Sequence, residues 1–556
     1  MSASNELTQA DAVSRLFGRD VSLFARTPEV AVAVENRLGW VGLASASDDA
    51  VAHAAGIAAY ADEIETTDVV LLGMGGSSLA SLVLDAVLPA NDRRLHVLDT
   101  VAPISVEAVL ERTHPATTLY LLASKSGATI EPNSLYAIFR ARADEVLGRQ
   151  RAGMRFVAIT DPGTVAETRA RDEGFGRIVS APADVGGRFS ALTVFGLIPT
   201  ALIGADTATL VERAAQAERR CGGERTDSAG TSNPASELAA FMVDALRADA
   251  DKLTLMTSEG LEPFGLWVEQ LVAESLGKSG HGIVPVIEPC RPAAHLGPDR
   301  AIVFVRYAHD HITSALAQTW RATHRVHELV LDGAYDVGAQ FVVWEYAVAL
   351  AGHLMGVNPF DEPNVAEAKA ATLDVLGGRA TPPQDQMRFQ GMRFTFAGGL
   401  CDKTPAEADP VTAIAAALGS ADDGDYVALL AYLPDNPKLV ALLQDAACAV
   451  SSRLGRACCT ELGPRYLHST GQLHKGGPNR GVFVMITSRD ERDLEIPGEQ
   501  WPLARLHVAQ AEGDLIALAS HDRRVLRIDL PDASARSVRE LAEMIVAAVD
   551  TIATAP

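Results

Sequence analysis

Short apolar runs alternate with helical segments along the chain, and this alternation limits the possible folds more than any other feature. Between about residues 66 and 180, the runs 68–74, 118–123 and 156–160 are largely apolar and are separated by segments of helical pattern. Strands of a parallel sheet have this character because helices cover both faces of the sheet. The βαβα order therefore predicts an α/β fold built on a doubly wound parallel sheet.

Two further series follow in the rest of the chain. The second starts near residue 250, and the third begins near residue 378. The predicted strands are 253–257, 283–286, 301–306 and 327–331 in the second series, and 426–433, 457–461, 481–486, 506–508, 515–517 and 525–528 in the third. We therefore expect two doubly wound parallel-sheet domains and a third, C-terminal α/β domain.

Breaks in composition suggest the domain limits. The stretch 219–233 is polar and rich in Gly and Ser, as a linker would be, and a second break comes at the proline pair in 381–385. The expected parts are a helical lead-in at 1–45, a first α/β domain at 46–218, a second at 219–377 and the C-terminal domain at 378–556.

The charge balance argues against a nucleic-acid partner. The 556 residues include 48 Lys and Arg against 71 Asp and Glu, which gives a formal net charge of −23, whereas nucleic-acid binding needs a basic face. A few local hydroxyls, amides and arginines can nevertheless hold one phosphate group. The composition is therefore compatible with a small phosphorylated ligand.

The sequence also predicts a cytoplasmic protein with no membrane partner. The start of the chain lacks the basic and apolar stretches of a signal peptide, and no apolar run approaches the length of a membrane span. The six cysteines include no C-x-x-C pair, and we expect all six to be reduced.

A glycine-rich turn follows the first predicted strand. Gly73, Gly75 and Gly76 allow the backbone to approach a ligand closely, and a helix is predicted to start at Ser77. The free N–H groups at a helix start favour an anion. The alternative is a tight strand–helix turn without a ligand.

A hydroxyl-rich segment occupies the equivalent place after the third strand of the first series. Ser124, Ser126 and Thr129 offer three hydroxyls near a predicted helix start, with Lys125 between them. Such uncharged donors suit a phosphate dianion, although an ordinary Ser/Thr cap would also explain them. Three hydroxyls together with Gly127 exceed what capping requires.

Three further residues could act on a bound substrate. Arg188 follows two glycines, and a guanidinium held on that turn could stabilise an enediolate or simply pair with a carboxylate. Gln270 and Glu274 lie four residues apart on one face of a predicted helix. Glu274 lies near the end of that helix, where the dipole disfavours a carboxylate and would raise its pKa. Glu269 is the competing base on another face.

Two later segments complete the candidates. Lys369 lies in the second turn of a helix predicted to begin near Asn364, where a solvated lysine is the alternative. The polar segment 463–477 contains His468 and His474, and loops of this composition often bind ligands. His309 and His311 form an H-x-H pair without an obvious third ligand, so no metal site is expected.

Together these motifs resemble the phosphoglucose isomerase family, whose two domains are sugar-isomerase (SIS) domains. The resemblance covers about residues 65–370. It rests on five motifs in the family's order, namely 75–77, 124–129, 187–190, 274–278 and the stretch from 358 to 369. The third region is similar to the tail of transaldolase–phosphoglucose isomerase fusion proteins.

The resemblance implies interconversion of glucose 6-phosphate and fructose 6-phosphate without cofactor or metal. Glu274 would carry the proton between C1 and C2, Arg188 would stabilise the cis-enediolate, Gln270 would position sugar hydroxyls and Lys369 would assist ring opening. The remaining residues assigned to the substrate and its phosphate are Gly75, Gly76, Ser77, Ser124, Lys125, Ser126, Thr129 and His468.

The ring-opening histidine is the point of departure from the family. In the two-domain enzymes a neighbouring subunit contributes it; here His295 lies in the corresponding region, but its surroundings do not match. The segment 471–476 resembles the family's sequence around that histidine. Our hypothesis is that the third domain supplies the group within the same chain, with His474 favoured over His468, in a monomer or homodimer.

Two other functions fit the same motifs. One is isomerisation of a different phosphosugar, such as mannose 6-phosphate, because the phosphate loops would look the same. The other is a non-catalytic SIS-type sugar-phosphate sensor. A sensor would have no need for Glu274, Arg188 and Lys369 together.

Overall fold

The structure is a computed structural model of the chain. It describes residues 1–89, 92–223, 233–288, 296–403, 409–489 and 492–554. Within them, the helices lack the combination of length and apolar character that a membrane crossing requires.

Four helices precede the first strand. They are α1 (Ala3–Gln9), α2 (Ala12–Phe17), α3 (Pro28–Glu35) and α4 (Asp48–Glu63). Trp40, in the bend after α3, is 1% exposed and stacks on Phe189, which ties the beginning of the chain to the segment that carries Arg188.

The first sheet is parallel throughout, with strand order β2-β1-β3-β4-β5. Its central strands are buried along their whole length, which explains their continuous apolar runs. The strands are β1 (Asp68–Leu72), β2 (Arg94–Leu98), β3 (Thr118–Ala123), β4 (Phe156–Thr160) and β5 (Arg177–Ser180), and the helices are α5 (Leu79–Val87), α6 (Pro103–Arg112), α7 (Ile130–Leu147), α8 (Arg149–Gly153), α9 (Val165–Asp172), α10 (Val194–Leu202) and α11 (Thr207–Cys221).

The second sheet is also parallel, with order β7-β6-β8-β9. Its strands are β6 (Lys252–Thr257), β7 (Val284–Ile287), β8 (Arg300–Tyr307) and β9 (Arg325–Leu331), and its helices are α12 (Pro234–Leu246), α13 (Glu262–Leu276), α14 (His311–Trp320), α15 (Val337–Met355) and α16 (Val365–Leu376). The stretch predicted as a linker begins inside α11, which extends to Cys221.

The third sheet is mixed, with order β10-β11-β15-β14-β12-β13 and with β10 and β11 antiparallel to their neighbours. Its strands are β10 (Met387–Phe389), β11 (Met392–Ala397), β12 (Tyr426–Tyr432), β13 (Ala457–Leu462), β14 (Gly481–Ser488) and β15 (Arg524–Leu530), and its helices are α17 (Pro410–Leu418), α18 (Pro437–Leu454), α19 (Gly471–Gly476), α20 (Leu503–Ser520) and α21 (Ala535–Ala553). The predicted α/β class is confirmed in all three regions.

Two predicted strands of the third region are wrong. Residues 506–508 and 515–517 lie inside the single helix α20. That helix is buried on most of its surface, so its apolar residues form short runs that resemble strand segments. The hairpin of β10 and β11 was not predicted.

One strand order recurs in the three sheets. The orders β2-β1-β3-β4, β7-β6-β8-β9 and β13-β12-β14-β15 are the same when each sheet is numbered from its own first parallel strand. In such sheets, ligands bind beyond the carboxyl ends of the strands, where the order reverses. Each sheet therefore offers a crevice at its carboxyl edge.

The third region packs closely on the other two. Arg465 donates from Nε and Nη2 to the two carboxylate oxygens of Asp99, at the end of β2, at 2.7 and 2.8 Å. An apolar cluster joins Ala273 and Val286 of the second region to Tyr426 and Phe483 of the third. His468 is thereby brought next to the first sheet.

The cysteine expectation needs one correction. Cys221, Cys401, Cys458 and Cys459 are free, but Cys448 is disulfide-bonded. Cys290 lies outside the described residues. The proximity of distant cysteines depends on tertiary packing, which spacing along the chain did not reveal.

We predict that Leu429→Ala lowers the free energy of unfolding by about 2–5 kcal/mol, since Leu429 is fully buried in the centre of β12. Urea unfolding followed by circular dichroism measures the change. Leu373→Ala is the matched control, because Leu373 is 50% exposed. Equal shifts in the two variants would contradict the placement of Leu429 in the buried centre of the third sheet.

Candidate active site

A cavity of about 320 Å³ lies at the carboxyl edge of the first sheet, between β1 and β3, where the strand order reverses. Helix α13, the start of α16 and the segment around His468 close its other sides. Its lining includes Gly75, Gly76, Ser77, Ser124, Lys125, Ser126, Thr129, Arg188, Gln270, Glu274, Glu362, Lys369 and His468. All of the predicted site residues except His474 are therefore brought together, and we call this cavity the cleft.

One wall of the cleft is rich in hydroxyl groups. The Ser124 hydroxyl is buried without a hydrogen-bond partner in the described part of the chain, and Thr129 precedes α7 without a side-chain cap bond. Ser126 accepts a hydrogen bond from the Ala128 amide at 3.3 Å. Hydroxyls at the start of an 18-residue helix have the chemistry to hold an anion.

The glycine turn fits closely against the Arg188 turn. A Cβ on Gly76 would lie 2.1 Å from the Gly187 carbonyl oxygen, and Gly75 has a φ of +54°. Glycine is therefore required at position 76 by close approach and favoured at position 75 by backbone conformation.

Lys125 is half-buried, and its ammonium donates hydrogen bonds to protein groups. Its Nζ donates to Asp161 at 2.7 Å and to the Pro182 carbonyl at 2.8 Å. Burial lowers its pKa, although Asp161 acts in the opposite direction. The side chain thus anchors the hydroxyl loop to the next strand of the sheet.

The opposite wall carries a buried carboxylate with two partners. Glu274 is 7% exposed; its Oε1 lies 3.4 Å from Arg188 Nη1, and its Oε2 accepts from Gln270 Nε2 at 3.2 Å. Burial raises the pKa of Glu274, and the charge of Arg188 only partly offsets this. Gln270 also donates to the His468 carbonyl at 2.8 Å, while its own Oε1 has no described partner.

Arg188 is held by protein groups on three segments. Its Nε donates to Ser275 at 2.8 Å, its Nη1 to Glu362 at 3.0 Å and its Nη2 to the Pro359 carbonyl at 2.7 Å. Although burial alone would raise the pKa of Glu362, the guanidinium outweighs it and the pKa is lowered. Arg188 is thus fixed with one edge towards Glu274.

Lys278 binds the same segment, 358–362, that contacts Arg188. Its ammonium donates to the Asn358 carbonyl at 2.8 Å and to the Asp361 carboxylate at 2.7 Å. Burial and the nearby Arg188 lower the pKa of Lys278 to about 8.

His468 faces the cleft as part of a buried triad. Its Nε2 lies 2.9 Å from Glu131 Oε1, and the same oxygen accepts from Gln510 Nε2 at 2.7 Å. Burial would raise the pKa of Glu131, but the charge and hydrogen bond of His468 lower it. The contact with Glu131 orients the imidazole through Nε2, and Nδ1 takes no part in it.

The structure does not bring His474 to the cleft. His474 is 2% exposed, with Nδ1 2.9 Å from the Tyr426 hydroxyl and Nε2 2.9 Å from Glu461 Oε2. The preference for His474 over His468 is therefore corrected: segment 463–477 is folded and buried, not an open polar loop, and turns only His468 towards the substrate side. His295 lies outside the described residues.

Lys369 is exposed and lies where the cleft meets a larger cavity of about 700 Å³. His468, Ser126 and Thr129 also line both cavities. The charge of Lys369 contributes to lowering the pKa of Glu131.

Three residues of the site were missed as functional groups. Glu131 and Glu362 stand inside motifs already singled out, but acidic residues beside a helix start are common. Gln510 had no local signal, because its role depends on the docking of α20 beside α7.

No group of three or more His, Cys, Asp or Glu in the described ranges is arranged to hold a metal ion.

We predict that Gly76→Ala disrupts the cleft, because the added Cβ must displace the Gly187 backbone. We expect the variant to lose binding of inorganic phosphate, which titration calorimetry measures. Gly56→Ala is the control, since a Cβ there meets nothing within 4 Å. Undiminished phosphate binding by Gly76→Ala would contradict this geometry.

Comparisons with known proteins agree with the geometry. The model of the family described as phosphoglucose isomerase matches residues 54–281. The glucose-6-phosphate isomerase of Rubrobacter xylanophilus is 30% identical over 362 residues, which are 56% of this chain and 83% of the relative. That of Shouchella clausii is 29% identical over 401 residues, 61% of this chain and 86% of the relative.

Two solved structures share the fold. A hypothetical protein from Thermus thermophilus superposes with a TM-score of 0.57 at 26% identity, over 68% of this chain and 97% of that one. A glucose-6-phosphate isomerase from Chlamydia trachomatis gives 0.52 at 20% identity, over 66% and 77%. From the family match and the Rubrobacter relative, the chain belongs to the phosphoglucose isomerase family.

Proposed function

We propose that this chain interconverts glucose 6-phosphate and fructose 6-phosphate through a cis-enediolate, with Glu274 as the base. The observation that carries the proposal is the buried Glu274 carboxylate, which faces the cleft between Arg188 and Gln270 and opposite the hydroxyl wall.

The substrate phosphate would bind at the hydroxyl wall. Ser77, Ser124 and Thr129 would donate hydrogen bonds, and the start of α7 would add its free amides. A phosphate fixed there places the sugar carbons towards α13. Binding energy from this remote group then serves to orient the reacting carbons.

Glu274 would move one proton between the two reacting carbons. It removes the proton from C2 of the open-chain aldose, which forms the enediolate, and returns it to C1 to give the ketose. A base works best when its pKa lies near the working pH, and burial raises the pKa of Glu274 in that direction.

Arg188 would stabilise the negative charge that develops on the enediolate oxygens. Its guanidinium is already oriented by Ser275, Glu362 and Pro359, so little reorganisation is needed during the reaction. Gln270 offers its unpartnered Oε1 to a sugar hydroxyl.

His468 and Lys369 would open the sugar ring. In its protonated form, His468 would give the proton on Nδ1 to the ring oxygen as the bond between C1 and that oxygen breaks, and the C1 hydroxyl would release its proton to solvent. The Glu131 carboxylate would stabilise the imidazolium before this transfer. Both partners lie in one chain, so the cleft needs no residue from a neighbouring subunit. We accordingly propose an active species that is a monomer or a homodimer.

We predict that Glu274→Gln lowers kcat by about 10²–10⁴-fold, because the amide cannot accept the C2 proton. An NADP-coupled assay from fructose 6-phosphate, with mannose 6-phosphate tested in parallel, measures the loss and the sugar preference. Glu269→Gln is the matched control: it lies on the same helix, but Glu269 lines a different cavity. The assignment is wrong if Glu269→Gln is inactive and Glu274→Gln is not.

The pH profile should follow the same group. Glu274 must be ionised to act as a base, so kcat/KM should rise with pH through an apparent pKa above the ordinary value of 4.5 for glutamate. An acidic limb at or below that ordinary value would contradict the role of burial.

We predict that His468→Ala slows turnover of the cyclic substrate and spares an open-chain analogue, because only ring opening needs the imidazole. Stopped-flow rates with each substrate measure the difference. His474→Asn is the comparison, since His474 lies outside the cleft. If His474→Asn shows the selective defect and His468→Ala does not, the ring-opening assignment must be reversed.

A further inference from the structure

A third cavity, of about 460 Å³, lies against a face of α13 that is adjacent to the face lining the cleft. Glu262, Leu266 and Glu269 of α13 face it, whereas Gln270 and Glu274 face the cleft. The cavity lies beside the carboxyl ends of β6 and β7 of the second sheet and of β13 of the third, at Thr257, Ile287 and Leu462. Ligand sites are favoured at such edges.

The charged lining of this cavity is unbalanced. Among the described residues, five carboxylates line it, against one cation, Arg465. Arg465 is already committed to Asp99 and Asp435, and Glu288 lies 3.5 Å from Arg300. The five carboxylates are Glu262, Glu269, Glu288, Asp435 and Glu461.

Two of these carboxylates are buried with unused acceptor capacity. Glu269 is 7% exposed and has no hydrogen bond or ion pair with the residues that the structure describes. Glu461 is 3% exposed; its Oε2 accepts from Thr470 and lies 2.9 Å from His474 Nε2, whereas its Oε1 is buried without a described partner. The neighbouring Thr460 Oγ1 is unpartnered as well. Burying such groups without a donor is unfavourable.

The rest of the lining is apolar. Leu255, Leu266, Ile287 and Val440 surround the acidic end, so the cavity combines a hydrocarbon wall with clustered acceptors. A ligand complementary to both parts carries several N–H donors and a positive charge on a short alkyl stem. Burial and the charge of Glu461 raise the pKa of Glu269, as expected for a buried carboxyl near a second one.

We propose that this cavity is a regulatory site for a small organic cation with a primary ammonium group, held between Glu269 and Glu461. The ammonium would donate to Glu269 and to Glu461 Oε1, and its alkyl stem would pack on the apolar wall.

Both carboxylates are connected to the cleft. Glu461 Oε2 holds Thr470, two residues after His468, and Tyr466 and Ser469 of the same segment line the cavity. Glu269 precedes Gln270, which donates to the His468 carbonyl and to Glu274. An occupant would therefore bias the position of His468. This coupling, unlike the binding itself, rests on the proposed isomerase function.

The binding test uses the full chain, with n-butylamine and n-butanol as matched probes in titration calorimetry. We expect saturable binding of the amine, with the alcohol at least about tenfold weaker because it has no charge-assisted hydrogen bonds. Glu269→Gln should weaken the amine about tenfold or more. Glu259→Gln, which removes an exposed charge just before α13, should leave binding unchanged.

A second variant guards against an indirect effect of Glu269→Gln. Leu266→Trp fills the cavity without changing its charge and should also abolish amine binding. The ligand site is overturned if the amine does not saturate the wild-type chain, or if it binds both variants as well as the wild type.

The regulatory part is tested separately by kinetics. The amine should change the KM or kcat for fructose 6-phosphate in the wild-type chain and not in Glu269→Gln. Binding without any kinetic change would overturn the coupling and leave the site. An inactive wild-type chain that still binds the amine would overturn the proposed function alone.

Discussion

The buried guanidinium of Arg188 is the interaction on which the arrangement of the cleft depends. A cation that is 4% exposed must be compensated by charge and hydrogen bonds, and Arg188 takes them from the end of α13, from the turn at Pro359 and from Glu362. These contacts fix α13, which carries Glu274, relative to the segment that leads into α16, which carries Lys369. The glycine turn at Gly76 packs directly against Gly187, the residue that precedes this arginine.

Much of the fold could be predicted from local pattern. The strands at 118–123 and 156–160 agree with β3 and β4 because a buried parallel strand is apolar along its length. The pattern failed for α20, which is buried on nearly all sides and so loses the polar stripe that marks a surface helix. Hydrophobic periodicity identifies a helix only when one face of the helix is buried and another is exposed.

The site was predictable where function needs a local motif. Ser124 and Thr129 lie on one turn, and Gln270 and Glu274 on one helical face, so their grouping is visible in the sequence. His468 and Gln510 meet Glu131 only through the docking of the third region, and no spacing rule connects residues so far apart. The choice between His468 and His474 depended on which way a short helical segment turns, which tertiary packing decides.

The contacts of Glu131 with His468 and Gln510 have a consequence for when the site can assemble during synthesis. Glu131 meets His468 across 337 positions of sequence and Gln510 across 379. During synthesis, the first sheet can fold long before either partner has left the ribosome. The cleft therefore lacks His468 in every nascent chain that ends before the segment 463–477, and Glu131 lacks Gln510 until α20 has also been made. The cleft can therefore be completed only late in synthesis, because one of its lining residues belongs to the third region.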